Sequence, residues 1–496
     1  MAEDDLFETV QRPQPGDPGI TERERQAGMN WILWDGILAG TMATLTSGVF
    51  LTGFALLLGA TETLVGVLNG LPRLASLVQP LGSYFVERLN ARKRISCWVF
   101  GPARLLWLAV IGLPLVGPGH GAWAPGMWVT IGVAVLSSLM AGFASPSWFA
   151  WMAELVPSRV RGTFFGRRTM YAGLVTAVVG FLAGRAIDAW KARFGEDSWG
   201  GFLVVFAIAL ACGMASWYTL IACPEPRVPR PKEEGPTSYW AMLRQVWQDR
   251  NFRNFVYFGA LVNFGVWIAS PFFSVYMIRV MQLPYWLMGL LTGVNSLGSL
   301  AMVRLWGRLS DHFGNRPVIS ACLRGISLTP VLWVLSANGS WWPLVVAHLV
   351  GGVSWSGYFL AQMNMTFKLT PRERRSVYIG LYYALSSVPS LVAPILGGAL
   401  IQHSTNWHLQ IAEYKIISYH LVFLASGLTR LMASGVFARV EEPRAKSVRH
   451  MIRVLSHTRF YNPVRGVQYF THRLSDAAQK RRRLRRQRAN RPRKRG

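Results

Sequence analysis

Several ionisable residues stand in apolar stretches that leave no water to hold them. Asp35 lies in Trp31-Ile-Leu-Trp34-Asp35-Gly36, Arg73 in Gly70-Leu71-Pro72-Arg73 and Arg104 in Gly101-Pro102-Ala103-Arg104, while Arg324 and Arg430 are placed similarly in the second half of the chain. A charge so placed costs about 3 kcal/mol on insertion scales and is retained where it faces a partner or a cavity. Deep arginines outnumber the single deep aspartate, which suits an anionic solute, because a guanidinium grips a carboxylate or phosphate through paired hydrogen bonds. The alternative is structural: Asp35 pairs with Arg104 or a loop arginine, and the shallower Arg304 and Arg308 reach for headgroups. Asn263, Asn295, Trp355, Tyr358 and Gln362 add polar and aromatic groups near mid-depth, where each needs a neighbour. The candidate substrate-binding set is therefore Asp35, Arg73, Arg104, Asn263, Asn295, Trp355, Tyr358 and Gln362. Asp35 is also the candidate titrating carboxylate, with His348 and His420 as further proton-carrying candidates. Arg185 and Asp188, one helical turn apart, read as a local ion pair.

The elements that carry these residues follow from composition. Of 496 residues, 51% are apolar and only 15% charged, against about a quarter charged in a soluble domain. Apolar windows of about 20 residues, each able to cross roughly 30 Å of hydrocarbon, fall near 29–57, 63–86, 95–116, 126–152, 169–190, 200–223, 254–278, 284–306, 317–336, 342–368, 377–401 and 416–438. This pattern excludes an ordinary soluble enzyme. No phosphate-cradling loop ending in Gly-Lys-Ser/Thr and no metal-ligand spacing is present, so no cofactor is expected. Cys97, Cys212, Cys223 and Cys322 all fall in apolar windows and read as small buried hydrophobes. Alternate connections are loaded with base (Arg88, Arg92, Lys93, Arg94; Arg159, Arg161, Arg167, Arg168; Arg372, Arg374, Arg375), and the others are short and nearly uncharged. The positive-inside bias makes the loaded side cytoplasmic, and an even number of spans puts both termini there.

Five segments result: an acidic N-terminal segment (1–28) without the apolar core of a signal peptide, a first half (29–223), a linker with an amphipathic pattern (224–253), a second half (254–440) and a tail (441–496). From Pro443 onward the tail carries 18 Lys and Arg against Asp476 alone. Anionic lipid is its expected partner rather than nucleic acid, since no recognition fold accompanies it.

The halves repeat. Leu155, Pro157, Arg161 and Gly166 answer Leu369, Pro371, Arg375 and Gly380 at an offset of 214, as Gly184 and Ile187 answer Gly398 and Ile401. Gly66-x3-Gly70-x3-Leu74 answers Gly289-x3-Gly293-x3-Leu297, and Ile95-Ser96 with Gly101 answers Ile319-Ser320 with Gly325. Duplication with binding at the repeat interface is a transporter architecture.

The stretch Gly307-Arg308-Leu309-Ser310-Asp311-His312-Phe313-Gly314-Asn315-Arg316 resembles the G-x-L-x-D-x-x-G-x-R signature of the major facilitator superfamily. In the first half, Ser83 and Asn90 replace the two glycines, while Glu87 and Arg92 keep the acid and the base. The resemblance covers about 29–440. It implies an all-α integral membrane protein of twelve helices in two pseudo-symmetric six-helix halves, acting as a secondary transporter by rocking-switch alternating access. It also implies that Asp311 latches near the start of span five (Gly162–Gly166) and Glu87 near span eleven, closing the cytoplasmic side. Arg88, Arg92, Arg161, Gly307, Gly314, Arg316 and Arg375 belong to the same gating loops. A carboxylate beside cations at a helix end can cap a neighbouring helix N-terminus, whatever the family. The expected protein is a monomer in a bacterial-type inner membrane, moving a small organic anion with a proton as the coupling ion. The alternative is a non-transporting assembly or delivery factor on the same fold.

Overall fold

The computed structural model describes residues 20–89, 91–157, 160–226, 247–337, 339–370, 375–411, 414–442 and 451. The amphipathic stretch expected at 238–250 lies mostly outside them, as do the basic tail from 452 and the first 19 residues.

Among the described residues twelve helical spans follow one another. They are α1 (Glu22–Leu57), α2 (62–89), α3 (Arg92–Ile111), α4 (Ala124–Leu155), α5 (Arg161–Phe194), α6 (Gly200–Ala222), α7 (Arg250–Val280), α8 (Tyr285–Phe313), α9 (Asn315–Val334), α10 (Trp342–Leu369), α11 (Tyr378–His403) and α12 (Ser418–Phe437). All but α2 are long and apolar enough to cross a bilayer. In α2 the sequence Gly70-Leu71-Pro72-Arg73 tightens into a 3₁₀ turn over Leu71–Leu74, as expected where proline withdraws a backbone donor. Helix α1 starts earlier than its apolar window because Thr21 and Glu24 cap it reciprocally. One feature outside the all-helical expectation is a short hairpin between α11 and α12, β1 (His408–Ile411) paired antiparallel with β2 (Tyr414–Ile417).

The packing repeats with the sequence. Within the first half α1 packs on α5 and α6, α4 on α2 and α3, and α3 on α6. In the second half α7 packs on α11 and α12, α10 on α8 and α9, and α9 on α12. Among the described residues the halves meet chiefly along two seams, α2 with α11 and α5 with α8, and α7 also touches α1 and α2. Both lead helices are interrupted: α1 at Thr46–Ser47, where Gly48 takes a φ of 55° that disfavours any Cβ, and α7 at Ile268–Ala269.

On the basic face each half is braced internally. Arg92 pairs with Glu154, and Glu225 accepts from the Lys93 N–H at 3.0 Å. In the second half Glu442, beyond the end of α12, accepts from the N–H groups of Asn315 (3.2 Å) and Arg316 (2.7 Å) and from Lys368 Nζ (2.8 Å). Burial raises the Glu442 pKa, but the bonds from Lys368 and from the Arg316 and Asn315 backbone outweigh it and hold the carboxyl below its ordinary value of 4.5. A depressed folded-state pKa means that this stabilisation is present above the ordinary value and lost as pH falls through the folded one. Glu442→Gln is expected to cost about 2 kcal/mol at neutral pH and less in acid. Thermal unfolding at pH 7 and about pH 4 checks this, and equal losses at both would remove the charge from the account.

Candidate binding cavity and its seals

A cavity of about 460 Å³ lies between the halves, within the range of small-molecule sites. The broken segments of α1 and α7 supply Ser47, Gly48, Ser270 and Phe273 to its wall, an arrangement in which discontinuous helices offer polar backbone to a ligand. The rest of the wall comes from α5 (Gly180), α8 (Thr292, Asn295), α9 (Thr329, Trp333), α10 (His348, Trp355) and α12 (Arg430). Of the proposed substrate-binding residues, the structure brings Asn295 and Trp355 to this cavity. Asn295 Nδ2 donates to the His348 carbonyl at 3.1 Å, so the amide is fixed rather than mobile.

The remaining candidates stand elsewhere. Asn263 bonds back to the Gly259 carbonyl of its own helix. Gln362 donates to Tyr382 at 2.9 Å, and Tyr358 is buried edge-on against Trp355, both inside the second half. Arg73 sits on the 3₁₀ turn of α2 with its guanidinium 3.4 Å above the Trp267 ring of α7, a cation–π contact between the halves; its Nε has no hydrogen-bond partner.

Asp35 and Arg104 belong to a network within the first half. Asp35 is 3% exposed and accepts from Arg168 Nη2 at 3.1 Å and from Ser216 Oγ at 2.7 Å. Ser216 in turn accepts from Arg104 Nη2 at 2.9 Å, and Arg104 Nη1 donates to the Gly213 carbonyl at 2.7 Å. The direct ion pair is thus with the loop-proximal Arg168, and Arg104 reaches Asp35 only through the serine.

Arg430 has no such compensation. It is 2% exposed, and it donates to the Gly265 carbonyl (3.2 Å), the Ile326 carbonyl (3.0 Å) and Thr329 Oγ1 (3.3 Å), all neutral acceptors. Among the described residues no carboxylate pairs with it. Arg324, read as similarly deep, is exposed, as are Arg304 and Arg308.

The face opposite the basic loops is sealed by acids. Glu62 at the start of α2 accepts from Arg279 Nη1 (2.5 Å) and Tyr419 OH (2.8 Å), and Thr63 donates to Gln402 at 2.6 Å. Asp188 of α5 accepts from the N–H groups of Tyr285 (3.0 Å) and Trp286 (2.9 Å), capping α8 across the other seam. This corrects the expected Arg185–Asp188 pair: free N–H groups at a helix start attract a carboxylate more specifically than an exposed arginine one turn away. Asp188→Asn is expected to weaken this seal by about 1 kcal/mol, read as faster thiol labelling of a cysteine placed at Ser47. Unchanged labelling would make the cap incidental.

On the basic face the expected latch is not made among the described residues. Asp311 is exposed and has no bond there to the start of α5, and a Cβ at Gly162 or Gly166 would meet nothing. The other gating candidates brace their own halves: Arg88 donates to Tyr84 OH at 3.1 Å, Arg161 to the Ala153 and Val156 carbonyls, and Arg316 Nη2 to the Ala438 carbonyl at 2.8 Å. A Cβ at Gly307 would meet Leu360 at an ordinary contact distance, Gly314 forms the turn between α8 and α9, and Glu87 and Arg375 lie in α2 and at the start of the segment leading into α11. Glu62, Asp188, Arg279 and Tyr419 were not singled out as sealing residues by sequence. An acid one residue past Thr61, at the threshold of a span, was the available signal for Glu62.

Comparison with known proteins agrees with this architecture. The sequence model of the Major Facilitator Superfamily matches residues 36–304 and 261–473. The chain is 30% identical to the class C tetracycline resistance protein of Escherichia coli over 148 residues, 28% of this chain and 31% of that protein. It is 25% identical to the MFS-type transporter patC of Penicillium expansum over 144 residues, 28% of this chain and 26% of that one. The matched segments thus span under a third of these relatives. Among solved structures, a point mutant of the nucleoside transporter NupG superposes with a TM-score of 0.63 at 11% identity, covering 83% of this chain and all of that one. The inward-open xylose transporter XylE from E. coli gives 0.60 at 15% identity, with 86% and 98% covered.

Proposed function

Because the chain belongs to the Major Facilitator Superfamily, we propose that it is a secondary transporter that carries a small organic anion by rocking its two halves about the cavity between them. The observation that carries the reading is the asymmetry of the seals. One face is closed by Glu62 and Asp188, while Asp311 on the other is unlatched. A rocking cycle alternates these conditions, so Asp311 engages the start of α5 when the other face opens, and Glu87 does the same at α11. In this reading the basic face is cytoplasmic, both termini lie there, and the tail rests on anionic lipid of a bacterial-type inner membrane. The protein works as a monomer. The anion preference is supported by the uncompensated Arg430 at the cavity and by Arg73 between the halves. Proton coupling would run through Asp35, the buried carboxylate of the first half.

Flux into liposomes containing the purified protein is the test. Uptake of an organic anion driven by an imposed proton gradient supports the reading in full, and uptake without pH dependence removes the proton. An absence of flux for anionic, neutral and cationic panels alike favours a non-transporting assembly or delivery factor.

A further inference from the structure

Both halves bury an arginine inside the same triangle of helices, and the two are completed differently. In the first half Arg104 of α3 reaches α6, and through Ser216 it shares Asp35 of α1. In the second half Arg430 of α12 reaches the carbonyls of α7 and α9 and Thr329, and among the described residues no acid pairs with it. A buried guanidinium without a counter-charge is costly unless something supplies one. Arg430 also lines the cavity, and it is the one charged group among the described residues of that wall.

We propose that the solute's own carboxylate completes the second half at Arg430, as Asp35 completes the first, and that the solute is a monoanion with an aromatic body. The clause on charge follows from the wall: a single cation balances one negative charge, whereas a phosphate dianion would want a second cation that the cavity does not offer. The clause on the body follows from the neighbours of Arg430 in the same wall. Trp333 packs on Phe273 (ring centroids 4.5 Å) and lies 5.7 Å from His348, and Trp355 lines the cavity further along α10. Such rings hold a flat apolar body by stacking and edge contacts, and Asn295 and Ser270 add neutral polar groups. The proposal rests on the transport reading and names the substrate class of the same cavity.

Equilibrium binding to the detergent-purified protein tests it, with naphthalene-2-carboxylate as the probe and naphthalene-2-methanol, acetate and inorganic phosphate as comparators. The carboxylate is expected to bind at least about tenfold more tightly than the alcohol, a preference of roughly 1.4 kcal/mol, with acetate and phosphate weaker still. Thr329→Asp places a carboxylate of the chain beside Arg430 and is expected to abolish the preference, whereas Thr329→Ser keeps it. Equal binding of acid and alcohol by the wild type, or unchanged acid binding by folded Thr329→Asp, overturns the proposal. The wild-type preference decides alone should the variant fail to fold. Flux is read separately. Naphthoate bound but not carried removes the transport reading and leaves the site, and wild-type naphthoate flux through Thr329→Asp removes the site and leaves transport.

Discussion

Gly184→Leu is expected to prop the two halves apart on the face opposite the basic loops and to lower flux by about five- to a hundredfold. A Cβ at Gly184 would lie 2.5 Å from the Tyr285 carbonyl oxygen, and one at Gly289 would lie 2.7 Å from that of Gly180. The α2–α11 seam is tighter still, with Gly66 against the Pro394 carbonyl and Gly398 against that of Glu62. In each case the obstacle is backbone, which cannot swing aside as a side chain would. Overpacking typically costs about 1–3 kcal/mol, and here it falls on the sealed state alone, because the contact exists only where the halves meet. At about 1.4 kcal/mol per decade, that range shifts the sealed population by the factor stated. The readout is a thiol cross-link between Thr63→Cys and Gln402→Cys, whose native side chains touch at 2.6 Å across the other seam. Reduced cross-linking together with reduced flux supports the propped state. Full cross-linking in Gly184→Leu would mean that the seam yields, and the glycines would then be ordinary packing.

The sequence carried these glycines, but in a different role. Gly66, Gly184, Gly289 and Gly398 are legible as repeated positions, and repetition alone implies two like halves. That they face each other across the seams depends on which side of each helix meets the other half. Hydropathy cannot supply that, because a membrane helix is apolar all round and periodicity loses its phase. The same limit explains the arginines. Depth is readable from distance along a span, so Arg73, Arg104 and Arg430 were all recognisable as deep. Their azimuth is not: depth alone points Arg104 at the solute although it faces Ser216, and it gives no reason to place Arg430 in the binding set although it lines the cavity. Asp188 shows the third limit, since its partners are backbone groups 97 and 98 residues away. Local spacing offered only Arg185.

Asp35→Asn separates two roles for the same carboxylate. As a structural group, Asp35 neutralises part of the charge of Arg168 and, through Ser216, of Arg104, which is 8% exposed. The amide keeps an acceptor for Ser216 only by turning its NH2 donor toward Arg168, leaving two arginines and no counter-charge. Breaking a buried pair costs about 3–5 kcal/mol; Arg168 is 20% exposed and stacks near Trp148, which places the expected loss near the lower end, about 3 kcal/mol. Adding Arg168→Gln should restore much of it, since the unpaired charge goes with the arginine. As a proton carrier, Asp35 would impose a different signature: the single variant and the stability-restored double variant would both carry solute at a rate independent of pH and fail to concentrate it against a gradient. A double variant that regains stability and also regains pH-dependent accumulation makes Asp35 a lock and moves proton coupling elsewhere. Stability restored with accumulation still lost assigns the proton to Asp35, because no effect on folding then remains to explain the loss.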